Sequence, residues 1–391
     1  MTAQASQPPA TTGVPDIPLF DLQLTSDDLA AVAETLRSGW LTAGPRTQAF
    51  EDAFAEHLGC RHTIAVSSCT AALHLAYLAA GVGPGDEVIV PSYTFAATAS
   101  SVVSCGATPV FADIVGLHDP SLDPDDVEAR ITPRTKAVAV VHFAGYAAPV
   151  DRLAELCDAH GIALIEDTAH APSATLNGRM LGTFGLASAF SLFSNKVLSV
   201  GEGGLLATDD DAIAARVRRL RSHAMTSGTW DRHNGSIELY DVGELGFNYR
   251  IDEPRSALAL SRLHGLEADI AKRRVLTHRY REALSAVPGL IVPFTDASVD
   301  ESSCYVMPIM LEDPSRHGQL RIDLRERHGV QTSLFYPAIH EFSIYRKHFP
   351  GTSLPRTELA SRSEITIPLF AHLTSEQQER VIAAITEELA P

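Results

Sequence analysis

The chain has 391 residues, 45% of them hydrophobic and 20% charged, the balance of a globular protein long enough for two domains or one large α/β unit. A formal net charge of −17 argues against general binding to nucleic acid or anionic membrane, since both rely on broad positive fields. No stretch approaches the roughly 20 consecutive apolar residues of a membrane span, and the five cysteines, Cys60, Cys69, Cys105, Cys157 and Cys304, form no CxxC pair or even framework, so reduced thiols are expected.

Met1 to Pro15 is rich in Ala, Thr, Gln and Pro, without a basic start or an apolar run. It reads as a disordered tail rather than a signal peptide, which predicts a cytoplasmic protein. Residues 16–255 then alternate short apolar runs with longer amphipathic ones. Strands are expected at HTIAVS from His62, EVIVP from Glu87, TPVFAD from Thr108, KAVAVVH from Lys136, IALIED from Ile162, SAFSLF from Ser188 and GLLATD from Gly204. Between them TAALHLAYLAAG, TFAATASSVVSCG and DRLAELCDAHG carry helical periodicity. This rhythm predicts an α/β fold with a mostly parallel sheet covered by helices on both faces. A long amphipathic helix, with room for a break, is expected from near Asp252 to about Ala286. Beyond it come an apolar strand at CYVMPIML, a charged helix at Leu320 to Arg327, the segment VQTSLFYP and a closing helix from Ser375. Residues 256–391 therefore form a smaller α+β domain, with the boundary inside the long helix.

Three residues carry chemistry. Asp167 ends an apolar strand, at the rim where open α/β sheets bind ligands, and His170 follows it. Lys196 follows the next strand and is one of only four lysines in the chain. Arginine keeps its proton, whereas a lysine in a low-dielectric site becomes a neutral nucleophile. A carboxylate, an imidazole and a scarce lysine at one rim suit pyridoxal phosphate, which needs an amine for its Schiff base and an acid beside its ring nitrogen. SSCTAALHL offers the phosphate a seat, with the hydroxyls of Ser68 and Thr70 and the first amides of a helix. Ser191 adds a hydroxyl, and Phe95 an aromatic face for the ring. Singly, each has an ordinary reading as a cap, a core residue or a solvated side chain; the joint order favours the cofactor.

The ordered stretches SGWLTAGPRTQAFEDAF, SSCTAALHLA, GPGDEVIVPSYTFAATA, VVHFAG, IEDTAHA, FSLFSNK, GEGGLLATDD, LGFNYRIDE and FYPAIH resemble the sugar aminotransferases of the DegT/StrS type, fold-type-I pyridoxal-phosphate enzymes, over nearly the whole chain. The resemblance implies that Lys196 is the Schiff-base lysine and proton shuttle, that Asp167 pairs with the ring nitrogen and that His170 sits near the phenolic oxygen. It implies phosphate contacts from Thr70, Ser191 and the backbone of Ala71, ring stacking by Phe95, and a homodimer in which Asn248 reaches the partner's phosphate. Substrate contacts are implied for Trp40, Thr42, Arg250, Tyr336 and His340. SHAMTSGTWDRHNG, from Ser222, is a candidate lid or a surface loop. Cys69 departs from a common Gly, as do Pro172 and Ser173, which bears on loop shape rather than on the reacting groups.

The expected reaction moves an amino group from L-glutamate or L-glutamine, through the pyridoxamine form, to a nucleotide-linked keto sugar. The runner-up acceptor is a keto cyclitol of antibiotic biosynthesis. Arg218, Arg219, Arg221 and Arg232 are candidate diphosphate partners, or else a solvated helix face. A dehydrating relative would carry His where Lys196 stands. A non-catalytic regulator is the other rival, and no basic DNA-binding extension supports it.

Overall fold

The computed structural model describes residues 16–226, 230, 235 and 240–390. Each expected apolar run of the first two-thirds forms a strand: β1 (His62–Val66), β2 (Glu87–Pro91), β3 (Thr108–Ala112), β4 (Thr135–Val141) and β5 (Ala163–Asp167). A two-residue hairpin, β6 (Thr175–Leu176) and β7 (Arg179–Met180), precedes β8 (Ala187–Ser191) and β9 (Gly204–Thr208). Seven of these build one sheet in the order β1-β9-β8-β5-β4-β2-β3. Strands β3, β2, β4, β5 and β8 run parallel, while β9 is antiparallel to both of its neighbours. Strands this apolar lose water from both faces, so they serve only where helices cover both sides.

That topology sets the working rim. Asp167 pairs with Ala189 at the carboxyl end of β5, and the Thr168 amide donates to the Ala189 carbonyl at 2.8 Å. Asp167 and the chain leaving β8 toward Lys196 are thus fixed side by side. The helix Cys69–Ala79 starts beside the same rim, with Ser68 as its cap: its hydroxyl accepts from the Ala71 amide at 3.1 Å.

The C-terminal part contains a three-stranded antiparallel sheet of β10 (Leu290–Ile291), β11 (Met307–Leu311) and β12 (Glu364–Ile367). The helices His317–Glu326 and Ser375–Leu389 accompany it. The long helix expected from Asp252 is two helices, Glu253–Leu263 and Leu266–Leu284, interrupted at His264 and Gly265. The segment VQTSLFYP touches its neighbours through bridges at Val330 and Ser333. Ile17 bridges to Val330, so the start of the described chain lies against C-terminal elements.

Candidate active site

A cavity of about 380 Å³ opens at the rim, lined among others by Thr70, Phe95, Asp167, His170, Ser191 and Lys196. This is within the usual size of a cofactor site. The residue at its floor is Asp167, 5% exposed, whose carboxylate accepts from Thr98 Oγ1 at 2.8 Å and from the Ala169 amide at 3.2 Å. Burial raises its pKa, opposed by these donors and by the Lys196 charge. It is a carboxylate short of positive charge, as an acid waiting for a protonated ring nitrogen must be.

Lys196 comes off a turn in which its amide donates to the Phe193 carbonyl at 2.8 Å. Its amine lies over the Tyr305 ring, 4.2 Å from the centroid. Burial lowers its pKa to about 8, against the pull of Cys69 and Asp167 toward the charged form. The amine therefore gives up its proton well below the range of an ordinary lysine.

His170 is fixed in a single tautomer by its two partners. The Ala144 amide donates to Nδ1 at 3.3 Å, so Nδ1 must be the unprotonated nitrogen and Nε2 carries the hydrogen. Nε2 lies 2.9 Å from the Tyr336 hydroxyl and donates to it. Burial, then the Lys196 charge, holds the imidazole pKa well below its ordinary value, so it is neutral at physiological pH. With its oxygen already accepting from His170, Tyr336 is left to direct its own O–H into the cavity it lines.

Two glycines permit this assembly. A Cβ on Gly204 would stand 2.5 Å from the Ser68 carbonyl carbon and 2.6 Å from the Cys69 nitrogen, so the first residue of β9 must lack a side chain for the phosphate-loop candidate to lie against it. Gly145 has φ +96°, and a Cβ there would meet Ser303 Oγ at 2.4 Å and the His170 carbonyl at 3.0 Å. It lets the segment that presents Tyr305 close against His170.

The chain matches the DegT/DnrJ/EryC1/StrS aminotransferase family over residues 22–386. It belongs to that family. SpsC of Bacillus subtilis (strain 168), a spore coat polysaccharide biosynthesis protein, is 37% identical over 369 residues, covering 92% of this chain and 94% of its own. The crystal structure of S. venezuelae DesV in complex with a ketimine intermediate superposes with a TM-score of 0.89 at 35% identity, over 96% of this chain and 99% of that one. NtdA of Bacillus subtilis, with bound cofactor PMP, superposes with a TM-score of 0.84 at 27% identity, over 94% and 83%. This family member is therefore a fold-type-I aminotransferase dependent on pyridoxal 5'-phosphate. Its cavity fits that group: a lysine amine, a carboxylate at the floor, an exposed aromatic face at Phe95 and the first amides of a helix converge on one space.

Not every expected residue of the aminotransferase lies there. Ala71 is buried and its amide is taken by Ser68 Oγ, so as the chain stands Ser68 and Thr70, not Ala71, face the cavity. His340 is also displaced from the expected role: it is 4% exposed, with Nδ1 2.6 Å from Ser92 Oγ and Nε2 3.4 Å from Glu358, and does not line the cavity. It pins the segment after Tyr336 to the end of β2. Thr42 and Arg250 line a neighbouring groove of about 630 Å³ with Arg218, Arg219, Arg221 and Trp230. Trp40 packs edge-on against Trp230 with centroids 4.7 Å apart. Asn248 bridges to Ser222, away from the cavity. Arg232 and most of the candidate lid lie outside the described residues. Tyr305 and Thr98 were not anticipated. Thr98 sits one turn after Phe95 within a quoted motif, whereas Tyr305 is 109 positions from Lys196 in the numbering, and no local pattern marks it.

Proposed function

We propose that the protein aminates a keto group of a nucleotide-linked keto sugar, with L-glutamate or L-glutamine as amino donor, and that it works as a homodimer with shared sites. Similar solved structures support the sugar reading: they include PseC of Helicobacter pylori, an aminotransferase involved in the biosynthesis of pseudoaminic acid. The observation that carries the reading is the buried Lys196 amine beside Asp167 in a cavity with an open mouth.

When bound, pyridoxal phosphate supplies an electrophilic carbon and an electron sink for a developing carbanion. The chain supplies the rest. Asp167 sits at the cavity floor, where its carboxylate would pair with and favour a protonated ring nitrogen. Lys196 Nζ, with its lowered proton affinity, is a base of suitable strength to remove a proton from carbon and return it on the other side of the exchange. His170 stays neutral and directs its Nε2 hydrogen to Tyr336, which offers its own O–H to an oxygen in the cavity. The arginine-lined groove next to the cavity suits a diphosphate, whose charge pairs well with guanidinium forks.

The lysine argues against a dehydrating relative. To test the reading, the holoenzyme is incubated with L-glutamate or L-glutamine while cofactor absorbance and the released 2-oxo acid are followed. One equivalent of 2-oxo acid per site is expected, followed by amination when nucleotide-linked keto sugars are added. An unchanged spectrum with every amino donor would overturn the assignment, and turnover of keto cyclitols alone would redirect the acceptor.

A further inference from the structure

We propose that Glu364, a residue of β12 outside the cavity, is a positioning residue that sets where the Tyr336 hydroxyl stands and, through it, the hydrogen bond of His170. The inference rests on the reading of Tyr336 and His170 as members of the site. Glu364 is fully buried, a costly place for a carboxyl group unless its oxygens are used. Both are. Oε2 accepts from the Phe335 amide at 2.7 Å, and Oε1 is hydrogen-bonded to Thr366 Oγ1.

The geometry turns this into a lever on the site. Phe335 immediately precedes Tyr336, and the two rings stack with centroids 4.9 Å apart and planes within 2°. The segment before them is pinned by paired backbone bonds between Ser333 and Thr366, at 3.1 and 2.9 Å. The segment after them is pinned by the Ala338 amide to Ser361 Oγ at 3.0 Å. Between these anchors, the Glu364 carboxyl holds the Phe335 amide directly. A segment of this kind would otherwise carry one unpaired donor, at a half-buried amide three bonds from the nitrogen of the tyrosine whose hydroxyl lies 2.9 Å from His170 Nε2. A simple apolar residue on β12 would complete the sheet equally well, so sheet formation alone gives no reason for a carboxyl here. Burial pushes the Glu364 pKa up to about 8, against the Thr366 and Phe335 bonds and the Arg321 charge. The group is thus mainly neutral at pH 7, and glutamine should replace it: its Oε1 accepts from Phe335 while its amide donates to Thr366.

The test compares Glu364→Leu and Glu364→Gln, each alone and with Tyr336→Phe, in the full-length protein. Two quantities are read: the affinity of the apoenzyme for pyridoxal phosphate, by fluorescence titration, and kcat with the amino donor. Glu364→Leu should weaken cofactor binding and lower kcat by about tenfold or more, and Glu364→Gln should restore both to within about threefold. In the Tyr336→Phe background, the leucine substitution should change both by less than about twofold, because the hydroxyl it misplaces is gone. Equal losses in the two backgrounds would overturn the proposal, as would equal impairment by leucine and glutamine or a leucine variant with wild-type affinity and kcat. If Glu364→Leu does not fold, Thr366→Val, which removes only the hydroxyl that orients the carboxyl, takes its place, and the same dependence on Tyr336 is required.

Discussion

Burial shifts both Lys196 and Asp167 toward their neutral forms, and the direction of each shift gives a stability consequence. For Lys196 the folded pKa of about 8 lies below the 10.5 of a free lysine. Between these values the unfolded chain binds the extra proton, so the apoenzyme gains stability as pH rises through that window, and the full cost applies below it. A shift of this size corresponds to about 3 kcal/mol. Replacing Lys196 by Met should therefore raise the urea midpoint of the apoenzyme at pH 7, with the gain disappearing near pH 10.5. The same variant should be inactive. Asp167 is shifted the other way, upward by burial, so its negative charge is a cost that the bound cofactor offsets. Asp167→Asn should weaken pyridoxal phosphate binding by at least about tenfold, since a neutral amide no longer favours a charged ring nitrogen. Titration of the apoenzyme by fluorescence measures it.

At the scale of single elements, the phosphate seat is a contact between a strand and a helix start. Gly204 opens β9 against the Ser68–Cys69 peptide, where a methyl group would sit 2.5 Å from carbonyl carbon. Neither partner is the free end of a flexible side chain, so Gly204→Ala must move backbone. It should cost about 1–3 kcal/mol and weaken cofactor binding along with stability. Gly83→Ala, where the added methyl meets nothing within 4 Å, is the matched control and should leave both unchanged.

The elements around this contact were legible because a buried strand between helices has to be written as an unbroken apolar run. β2, β4 and β9 are such runs, buried at nearly every position. The helix Ser26–Ser38 escaped notice because it is exposed along much of its length and balanced between apolar and polar residues. Its one local signal was the capping box of Thr25 and Asp28, which the structure forms. Asp167, His170 and Lys196 could be found from their places at strand ends. Tyr305 and Glu364 could not, because what brings them to the site is the packing of the C-terminal sheet onto the rim.

For the whole molecule, the proposed homodimer would complete each site from two chains. Phe95 is 62% exposed at the cavity mouth, although an aromatic ring of that size normally finds cover. Asn248 and Arg250, which the family resemblance connects with phosphate and substrate, lie outside the cavity of their own chain. In the homodimer proposed above, each chain's Asn248 would reach the phosphate bound by the other chain, and the two sites would then depend on each other. Complementation separates this from a site completed within one chain. Lys196→Ala and Asn248→Ala are each expected to be nearly inactive alone. If Asn248 acts across the interface, a mixed dimer has one site with both substitutions and one with neither, so unfolding and refolding an equal mixture should recover about a quarter of wild-type activity, half the dimers being mixed. If Asn248 serves its own chain, each site of the mixed dimer carries one substitution and no activity returns. Sedimentation of the mixture must show dimers for the comparison to hold, and a monomeric wild-type enzyme with full activity would remove the shared site altogether.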